Sequence, residues 1–431
     1  MEMVDKMNAI SKYPAYRNSG VEWLGDIPNH WGMIPNKFIF ELKKNLVGKN
    51  SDKYTLLSLT LTGIVKRDMD NPQGKFPAEF DTYQEVQDGD FVFCLFDVEE
   101  TPRCVGLSSF NGMITGAYTV LRTTPEFKRK FLYYFYLNLD NAKRLRPLYT
   151  GLRNTISKDR FFAFKTFIPP LQEQKSIADF LEDKTSKIDR AIAQKERMIV
   201  LLKERKQIII QNAVTKGLDP HVKMKDSGVD WIGEIPGHYS ITKLGLCLKA
   251  LSEKNRPDLP LLSITRELGV IVRDTEDQEA NHNFIPDDLS GYKVIRKGQF
   301  GMNKMKAWQG SYGVSEFEGI ISPAYYVFDL KSDINPNFFH RAIRSKVYVP
   351  FFAAASDGVR IGQWDLNKSR MKEIPLVIPP ISEQVDAIAY IENQSMKIER
   401  AISQEEIQIE KLKELRSTLI DSAVTGKIKV C

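Results

Sequence analysis

Basic and amide side chains gather in the least regular stretches of this 431-residue chain. Arginine and lysine can bind phosphates or the guanine edge, and asparagine and glutamine can pair in a bidentate way with adenine. Arg153 and Arg360 fall at matching places, Gly151-Leu152-Arg153 and Gly358-Val359-Arg360, on predicted exposed turns. An ordinary solvated surface carries the same residue types, and Trp308 suits a core equally well. The candidate nucleic-acid contacts are Lys66, Arg67, Arg103, Arg153, Asn154, Lys158 and Arg160, then Arg273, Asn303, Lys304, Lys306, Gln309, Arg360 and Gln363.

No motif for catalysis accompanies these residues. The sequence has no GxxxxGK[ST] phosphate loop, no GxGxxG cofactor loop and no HExxH metal motif. It also lacks the [DN]PP[YF] tetrapeptide of amino-methyltransferases, because Pro169-Pro170 and Pro379-Pro380 both follow isoleucine. Acid-x-Lys triplets such as Asp329-Leu330-Lys331 are expected by chance where 27% of residues are charged. We therefore expect a binding protein with no catalytic residue, no metal site and no cofactor of its own.

The composition is typical of a soluble globular protein of two or three domains. The mean hydropathy is −0.32, and no run of about 18 apolar residues predicts a membrane span. The N-terminal residues include Glu2, Asp5 and Lys6 and no apolar stretch, so we expect no signal peptide and a cytoplasmic location. The four cysteines form no CxxC pair, which favours reduced thiols. A net charge of +6 permits a nucleic-acid partner without requiring one.

The elements that must position the candidate residues are repeated along the chain. Ser19–Trp31 (SGVEWLGDIPNHW) returns about 210 residues later as Ser227–Tyr239 (SGVDWIGEIPGHY). Ile168–Gln174 (IPPLQEQ) likewise returns as Ile378–Gln384 (IPPISEQ). Between these markers, short apolar runs separated by Gly, Pro, Asn and Asp clusters predict strands and turns with some helix. The sequence thus predicts an α+β protein with an internal pseudo-two-fold duplication.

A long helix follows each proline pair. Neither Gly nor Pro occurs between Pro170 and Gly217, or between Pro380 and Gly426. Each stretch predicts a helix of about 40 residues, roughly 60 Å long, with the prolines at its first turn. Residues spaced by three and four form one largely apolar seam on each helix. The seam residues are Ile177, Leu181, Ile188, Lys195, Leu202 and Ile209 in the first helix, and Ile391, Ile398, Glu405, Leu412 and Leu419 in the second.

The two seams predict an antiparallel coiled coil. If a two-fold axis relates the duplicated halves, we expect the helices to pair antiparallel and the equivalent positions Lys195 and Glu405 to lie close together. The alternative is that each helix packs on its own domain. Such long helices exceed the mean of about 11–12 residues, and a small domain does not cover one. The simplest arrangement therefore buries the two seams against each other.

The paired markers resemble the specificity (S) subunits of type I restriction–modification enzymes. The paired endings Ala213-Val214-Thr215-Lys216-Gly217 and Ala423-Val424-Thr425-Gly426-Lys427 complete the pattern, which frames the whole chain. The resemblance implies two target-recognition domains, each reading one half of a bipartite asymmetric DNA site. It implies two conserved spacer helices that set the gap between the half-sites. The corresponding boundaries are 1–167, 168–217, 218–377 and 378–431.

The resemblance also implies partners. Two modification (methyltransferase) subunits would dock on the spacer helices and carry S-adenosylmethionine. Restriction/translocase subunits would supply the ATP- and Mg-dependent activity of the full complex, with no membrane involved. Recognition domains diverge within the family, so the candidate contacts rest on residue chemistry alone. Two alternatives stay open: a self-sufficient DNA endonuclease or methyltransferase, and a scaffold that bridges two proteins without binding DNA.

Overall fold

The computed structural model describes residues 11–69, 79–151, 153–274, 285–360 and 363–430. The chain divides into two compact units. The first unit comprises Met1–Lys195 with Ile407–Cys431, and the second comprises Glu196–Glu406. Each unit therefore contains one mixed α/β domain with the beginning of one long helix and the end of the other.

The first unit contains an antiparallel four-stranded sheet in the order β4-β11-β8-β9. Two-stranded antiparallel pairs join β1 to β2, β3 to β12, β5 to β6 and β7 to β10. The strands are β1 (Tyr16–Asn18), β2 (Asp26–Pro28), β3 (Gly32–Pro35), β4 (Phe40–Lys43), β5 (Leu57–Thr60), β6 (Gly63–Lys66), β7 (Gln84–Val86), β8 (Phe91–Phe93), β9 (Val105–Leu107), β10 (Gly112–Ile114), β11 (Thr119–Thr123) and β12 (Lys165–Ile168).

The second unit has the same strand pattern. Its four-stranded sheet has the order β16-β23-β20-β21, and its pairs are β13 with β14, β15 with β26, β17 with β18 and β19 with β22. An additional hairpin joins β24 to β25. The strands are β13 (Met224–Asp226), β14 (Glu234–Pro236), β15 (Ser240–Lys243), β16 (Leu248–Leu251), β17 (Leu262–Thr265), β18 (Gly269–Val272), β19 (Lys293–Ile295), β20 (Phe300–Met302), β21 (Tyr312–Val314), β22 (Gly319–Ile321), β23 (Tyr326–Leu330), β24 (Ser356–Arg360), β25 (Gln363–Leu366) and β26 (Pro375–Ile378).

Two long helices and several short ones complete the units. The predicted helices after the proline pairs are confirmed, with 45 residues in the first and 44 in the second. Short 3-10 turns occur at Asn36–Phe38, Gly48–Lys53, Arg146–Leu148 and Ala307–Gln309. The α-helices are α1 (Arg129–Asn141), α2 (Lys158–Ala163), α3 (Leu171–Thr215), α4 (Leu244–Cys247), α5 (Pro336–Ile343), α6 (Val349–Ala354), α7 (Lys368–Lys372) and α8 (Ile381–Val424).

Aromatic side chains fill the core of each domain. In the first unit, α1 directs Tyr136 onto the sheet, where its ring centre lies 5.2 Å from that of Phe93. Phe161 of α2 lies 4.8 Å from Phe93 on the same measure. In the second unit, Phe300 of β20 meets Phe339 of α5 at 5.0 Å, edge to face. Such pairs bury large apolar areas in defined orientations, so each short sheet has a fixed helix layer above it.

The long helices run antiparallel within each unit. In the first unit, Lys195 donates to Gln408 while Asp189, nearer the start of α3, pairs with Arg416 at 3.0 Å. Contact partners on α8 thus move toward its C-terminus as those on α3 move toward its N-terminus. The second unit shows the same direction, because Lys206 pairs with Glu399 at 2.6 Å while Ala213, nearer the end of α3, shares a buried cluster with Ile391, nearer the start of α8. The predicted antiparallel layout is confirmed, while the Lys195–Glu405 proximity stays a prediction.

The predicted seam positions are all at least half-buried. Ile177, Leu181 and Ile188 join the core of the first unit together with Leu419. Ile391 belongs to a smaller cluster in the second unit, which also contains Ala213 and Val214 of α3. The remaining seam residues are Lys195, Leu202, Ile209, Ile398, Glu405 and Leu412, of which Ile398 is buried and the others are half-buried. The helix ends therefore pack on the domains as well as on each other.

Candidate nucleic-acid interface

One carboxylate ties the first domain to the start of α3. Glu173, in the first helical turn, accepts hydrogen bonds from His30 Nε2 at 2.8 Å, from Trp31 Nε1 at 2.9 Å and from the Tyr13 hydroxyl. His30 and Trp31 end the first repeated marker, and Glu173 belongs to the second. The two markers therefore meet in space, which gives their repetition a structural cause.

The second unit contains the same joint. Glu383 accepts from His238 Nε2 at 2.7 Å and from the Tyr239 hydroxyl at 2.9 Å. Burial and the neighbouring Glu383 raise the pKa of Tyr239, so this hydroxyl stays protonated and donates. The joint carboxylate is more exposed here, with 39% of the Glu383 side chain accessible against 9% for Glu173.

The glutamine that follows each glutamate forms hydrogen bonds with backbone groups at the start of the long helix. Gln174 accepts from the Lys128 backbone N–H and donates to the Pro169 carbonyl, both at 2.9 Å. In the second unit Gln384 accepts from the Asn335 N–H at 2.8 Å and donates to the Pro379 carbonyl at 2.9 Å. Lys128 and Asn335 are the N-caps of α1 and α5. Each buried amide thus links two helix starts, a role that sequence reasoning missed although both copies carry the glutamine.

The end of α8 is also fixed to the first domain by specific contacts. The α8 helix ends at Val424, and Gly426 just after it has a positive φ of 74° and no room for a side chain, since a Cβ there would lie 2.4 Å from Pro28. Just before this end, Asp421 accepts from Arg144 at 2.5 Å and from Lys427 at 2.6 Å. Burial opposes ionisation of Asp421, but the two cations outweigh it and lower its pKa. The repeated segments therefore form a structural frame, and the candidate binding residues must be sought between them.

Two segments that lie between the repeated markers meet in the first unit: residues 94–103, termed the first variable loop, and the turn 150–155. The Asp97 N–H donates to the Arg153 carbonyl at 2.9 Å, and the Arg153 guanidinium pairs with the Asp97 carboxylate. The guanidinium also lies 5.8 Å from the ring centre of Phe96. Asn154 donates to Glu100 at 3.1 Å. Arg153 nevertheless keeps 70% of its side chain exposed, so its edge is open to a ligand.

Helix α2 adds two more candidates beside the turn. Ser157 caps α2 by accepting from the Arg160 N–H at 3.3 Å, and Lys158 and Arg160 are both exposed. The Arg160 guanidinium reaches back to the Tyr149 carbonyl at 3.4 Å. The turn and the start of α2 thus place Arg153, Asn154, Lys158 and Arg160 within one short segment of the first unit, residues 153–160.

The other first-unit candidates lie away from this turn. Arg103 donates to Asp140 at 3.1 Å and to Asn141 at 2.8 Å, with only 13% of its side chain exposed. That geometry favours a role in anchoring the first variable loop to α1. Lys66 lies at the end of β6 with its ammonium 5.1 Å from the Phe110 ring centre, and the Arg67 N–H donates to the Leu56 carbonyl at 2.9 Å.

The second unit joins its own pair of segments: residues 303–312, termed the second variable loop, and the β24–β25 hairpin. Lys304 pairs with Asp365 at 3.1 Å, and its carbonyl accepts from the Leu366 N–H at 3.0 Å. Trp308 stacks on Trp364 with ring centres 5.4 Å apart. The fold therefore brings this loop to the hairpin that carries Arg360 and Gln363.

The second-unit candidates differ in accessibility. Lys306 is exposed and Gln309 is half-buried, whereas Asn303 is buried and donates to the Tyr325 hydroxyl at 3.1 Å. Arg360 and Gln363 pair across the hairpin, and their side chains are outside the described part of the structure. Arg273 follows β18, and its N–H donates to the Leu261 carbonyl at 2.9 Å. Lys306 and Gln309 are thus the described second-unit candidates best placed to reach a ligand.

Two kinds of site are not found in the described ranges. No group of three or more His, Cys, Asp or Glu side chains there could hold a metal ion. Over the same residues, no helix has the length and apolar character needed to cross a membrane.

Comparison with known proteins gives one consistent picture. Residues 112–197 match the type I restriction modification DNA specificity domain. The chain is 35% identical over 95 residues to the type I restriction enzyme MjaVIII specificity subunit of Methanocaldococcus jannaschii, and 32% identical over 93 residues to the putative MjaX specificity subunit of the same organism. Each match covers 22% of this chain and 20% of the relative, so the chain spans about a fifth of the length of these relatives.

A solved structure resembles the chain over most of its length. It comes from a study of complex assembly and conformational transition in the type I R-M system. It covers 92% of this chain and 98% of its own, with a TM-score of 0.61 and 14% sequence identity. At this identity the likeness establishes the fold: two mixed domains with two long helices.

Proposed function

We propose that this chain is a specificity subunit of a type I restriction–modification system and that it reads a bipartite asymmetric DNA sequence, with one half-site for each unit. One observation carries the proposal: the two units share a strand order and a helix joint, but present different loops and turns. A shared frame supports equivalent placement on the two half-sites, and different loops support reading different bases. Base contacts specify sequence, whereas phosphate contacts position the protein.

In the first unit, the proposed readers are Arg153, Asn154, Lys158 and Arg160. An arginine with an exposed edge can bind guanine in a bidentate way, and its pairing with Asp97 and stacking on Phe96 would hold the guanidinium plane in position. In the second unit, Lys306 and Gln309 are proposed with Arg360 and Gln363. Lysine suits phosphate or guanine, and glutamine suits adenine.

The proposed subunit is non-catalytic and acts through partners. Two modification subunits would dock on α3 and α8, and they would carry S-adenosylmethionine and the methyl transfer. Restriction subunits with ATP and Mg would join them in the full complex. In this arrangement the specificity chain contributes position and sequence choice alone.

The test is a map of methylated adenines in a host that lacks other type I systems, with the modification subunit expressed with and without this chain. We expect one bipartite motif that depends on the chain. Lys306→Ala with Gln309→Ala should relax one half of that motif, and Lys158→Ala with Arg160→Ala should relax only the other. Methylation at a continuous motif, or no chain-dependent methylation, would contradict the proposal.

The two alternatives give different results with purified protein. A self-sufficient methyltransferase or endonuclease would modify or cut DNA without any partner. A scaffold would bind the modification subunit, but the resulting complex would not bind a DNA fragment with the mapped motif and would give no gel shift. A DNA specificity subunit gives a gel shift with its partners and no chemistry alone.

A further inference from the structure

Lysine ammonium groups crowd around one aromatic pair in the second unit. Lys293 of β19 and Lys368 of α7 lie 5.8 Å and 5.4 Å from the ring centre of Tyr326. Lys368 also lies 5.8 Å from the Phe328 ring centre, and Lys293 donates to the Tyr325 carbonyl at 2.5 Å. The aromatic faces attract each cation and hold both ammonium groups on one side of β23.

The positive charges of these lysines have few negatively charged partners. Burial lowers the pKa of the half-buried Lys293, and Lys254, Lys368 and Lys304 lower it further. Lys304 has Asp365 as an ion-pair partner. Among the described residues, no ion pair joins Lys254, Lys293 or Lys368 to a carboxylate. Since like charges disfavour each other's protonated form, an anion bound here would remove a cost that the free protein carries.

The lysines adjoin the segments already proposed to read DNA. Lys304 belongs to the second variable loop, and Asn303 beside it donates to the Tyr325 hydroxyl at 3.1 Å. Lys368 follows β25 directly, after the helix cap Asn367. The charged group therefore lies next to both the loop and the hairpin.

The first unit has almost no equivalent. Gln84 of β7 takes the place of Lys293, because it donates to the Tyr118 carbonyl at 2.8 Å as Lys293 donates to that of Tyr325. Lys158 at the start of α2 matches Lys368 at the start of α7. The other two lysines correspond to apolar residues in the first unit. Lys254 corresponds to Leu46, because the residues before them, Glu253 and Asn45, accept equivalent backbone hydrogen bonds. Lys304 corresponds to Leu95, because the residues before them, Asn303 and Cys94, donate equivalent backbone hydrogen bonds.

We propose that Lys254, Lys293, Lys304 and Lys368, together the lysine cluster, bind backbone phosphates of DNA beside the half-site read by the second unit. This inference rests on the proposed DNA-reading function and adds an asymmetry to it. The second unit contributes more of the salt-dependent affinity, and the first unit depends more on its base contacts. Phosphate contacts carry no sequence information directly, so the cluster grips DNA without choosing bases.

The test measures binding of the mapped DNA site by the complex with modification subunits, from about 50 to 200 mM salt. The test variant is Lys254→Gln with Lys293→Gln and Lys368→Gln, in which the central change copies Gln84 of the first unit. Each phosphate that the variant no longer neutralises should flatten the plot of log affinity against log salt by about 0.9. We expect a slope smaller by roughly 2 to 3, with the methylated motif unchanged.

Three controls sharpen the result. Lys254→Arg with Lys368→Arg keeps both charges and should keep the wild-type slope. Lys254→Gln alone changes one exposed residue and should flatten the slope by about 0.9, which gives an answer even where the triple variant unfolds. Lys53→Gln removes an exposed lysine that is not among the proposed DNA contacts and should keep the wild-type slope.

The inference and the function on which it rests fail in different ways. A wild-type slope in both the triple variant and Lys254→Gln alone, or a changed half-site with an unchanged slope, overturns the lysine cluster and leaves the proposed function standing. Failure of the wild-type complex to prefer the mapped site over unrelated DNA overturns both.

Discussion

At the scale of the residue, the difference between Glu173 and Glu383 indicates how strongly each domain is joined to the start of its long helix. Both carboxylates hold a histidine and an aromatic donor, but Glu173 has the Tyr13 hydroxyl as a third partner and is far less exposed. Hydrogen bonds to a charged group contribute about 1.5–3 kcal/mol, and more is lost when a buried partner is left unsatisfied. The first joint should therefore be the stronger one.

Substitution by glutamine tests this difference. Glu173→Gln removes the charge that three donors share, and we expect a loss of about 2 kcal/mol and a fall in Tm of roughly 4–8 °C. Glu383→Gln, in a wetter site, should lower Tm by less than half as much. Calorimetry of the full chain measures both, with the exposed Glu410→Gln as a matched control that should leave Tm unchanged. Equal shifts for the two joint variants would contradict the argument.

The partners of single side chains were the part of the site that sequence reasoning could not supply. Arg153 was recognised from its place in the repeat, but its partner Asp97 comes from another part of the chain. Arg103 has the same residue type, yet the fold directs it to Asp140 and largely buries it. Neither the residue type nor the local sequence names the partner in either case, because the partner is set by the long-range pairing of strands and helices.

At the scale of the element, the long helices were predictable and the strand order was not. The absence of Gly and Pro over each helix, and the proline pair before it, are local signals that fix where α3 and α8 begin and end. Strands of three to five residues carry too little periodicity for their bounds or neighbours to be inferred. Their order depends on side chains brought together from distant segments, such as Phe40, Phe93 and Phe161.

The antiparallel pairing of α3 and α8 leads to a prediction about spacing. Seven residues inserted after Lys195 and seven after Glu406 keep the helix faces in register and lengthen the pair by about 10.5 Å. If the helices set the gap between half-sites, that gap should grow by about 3 base pairs, at 3.4 Å per base pair along one strand. Mapping methylated adenines measures the new spacing.

The half-site sequences should not change in this variant, because the insertion leaves the variable loops intact. A seven-residue insertion in α3 alone is the matched control. It shifts the part of α3 that contains Lys206 by seven residues relative to Glu399 on α8 and should abolish methylation rather than lengthen the gap. New half-site sequences with the original spacing in the paired variant would refute the role assigned to the helices.

At the scale of the whole molecule, duplication separates what holds the chain together from what is proposed to read DNA. Both units have the same strand order, the same joint at Glu173 or Glu383, and the same glutamine contacts at Gln174 or Gln384. The variable loops, the hairpin and the lysine cluster differ. Change in a loop leaves the frame intact, so under the proposed function each unit would acquire a new half-site without altering the other. The duplication of the frame was visible in the sequence, and the asymmetry of charge required the structure.

Exchange of one domain tests that independence. Replacing residues 1–165 by the corresponding part of another specificity subunit should change one half-site and leave the other half-site and the gap unchanged, as mapped by adenine methylation. The end of α8 belongs to the first unit, where Arg144 donates to Asp421 and Tyr16 donates to the Gly426 carbonyl. A donor domain that keeps an arginine and a tyrosine at those places should be accepted without loss of Tm. The reciprocal exchange of residues 218–377 should change only the other half-site, and a change of both half-sites in either chimera would show that the units do not read independently.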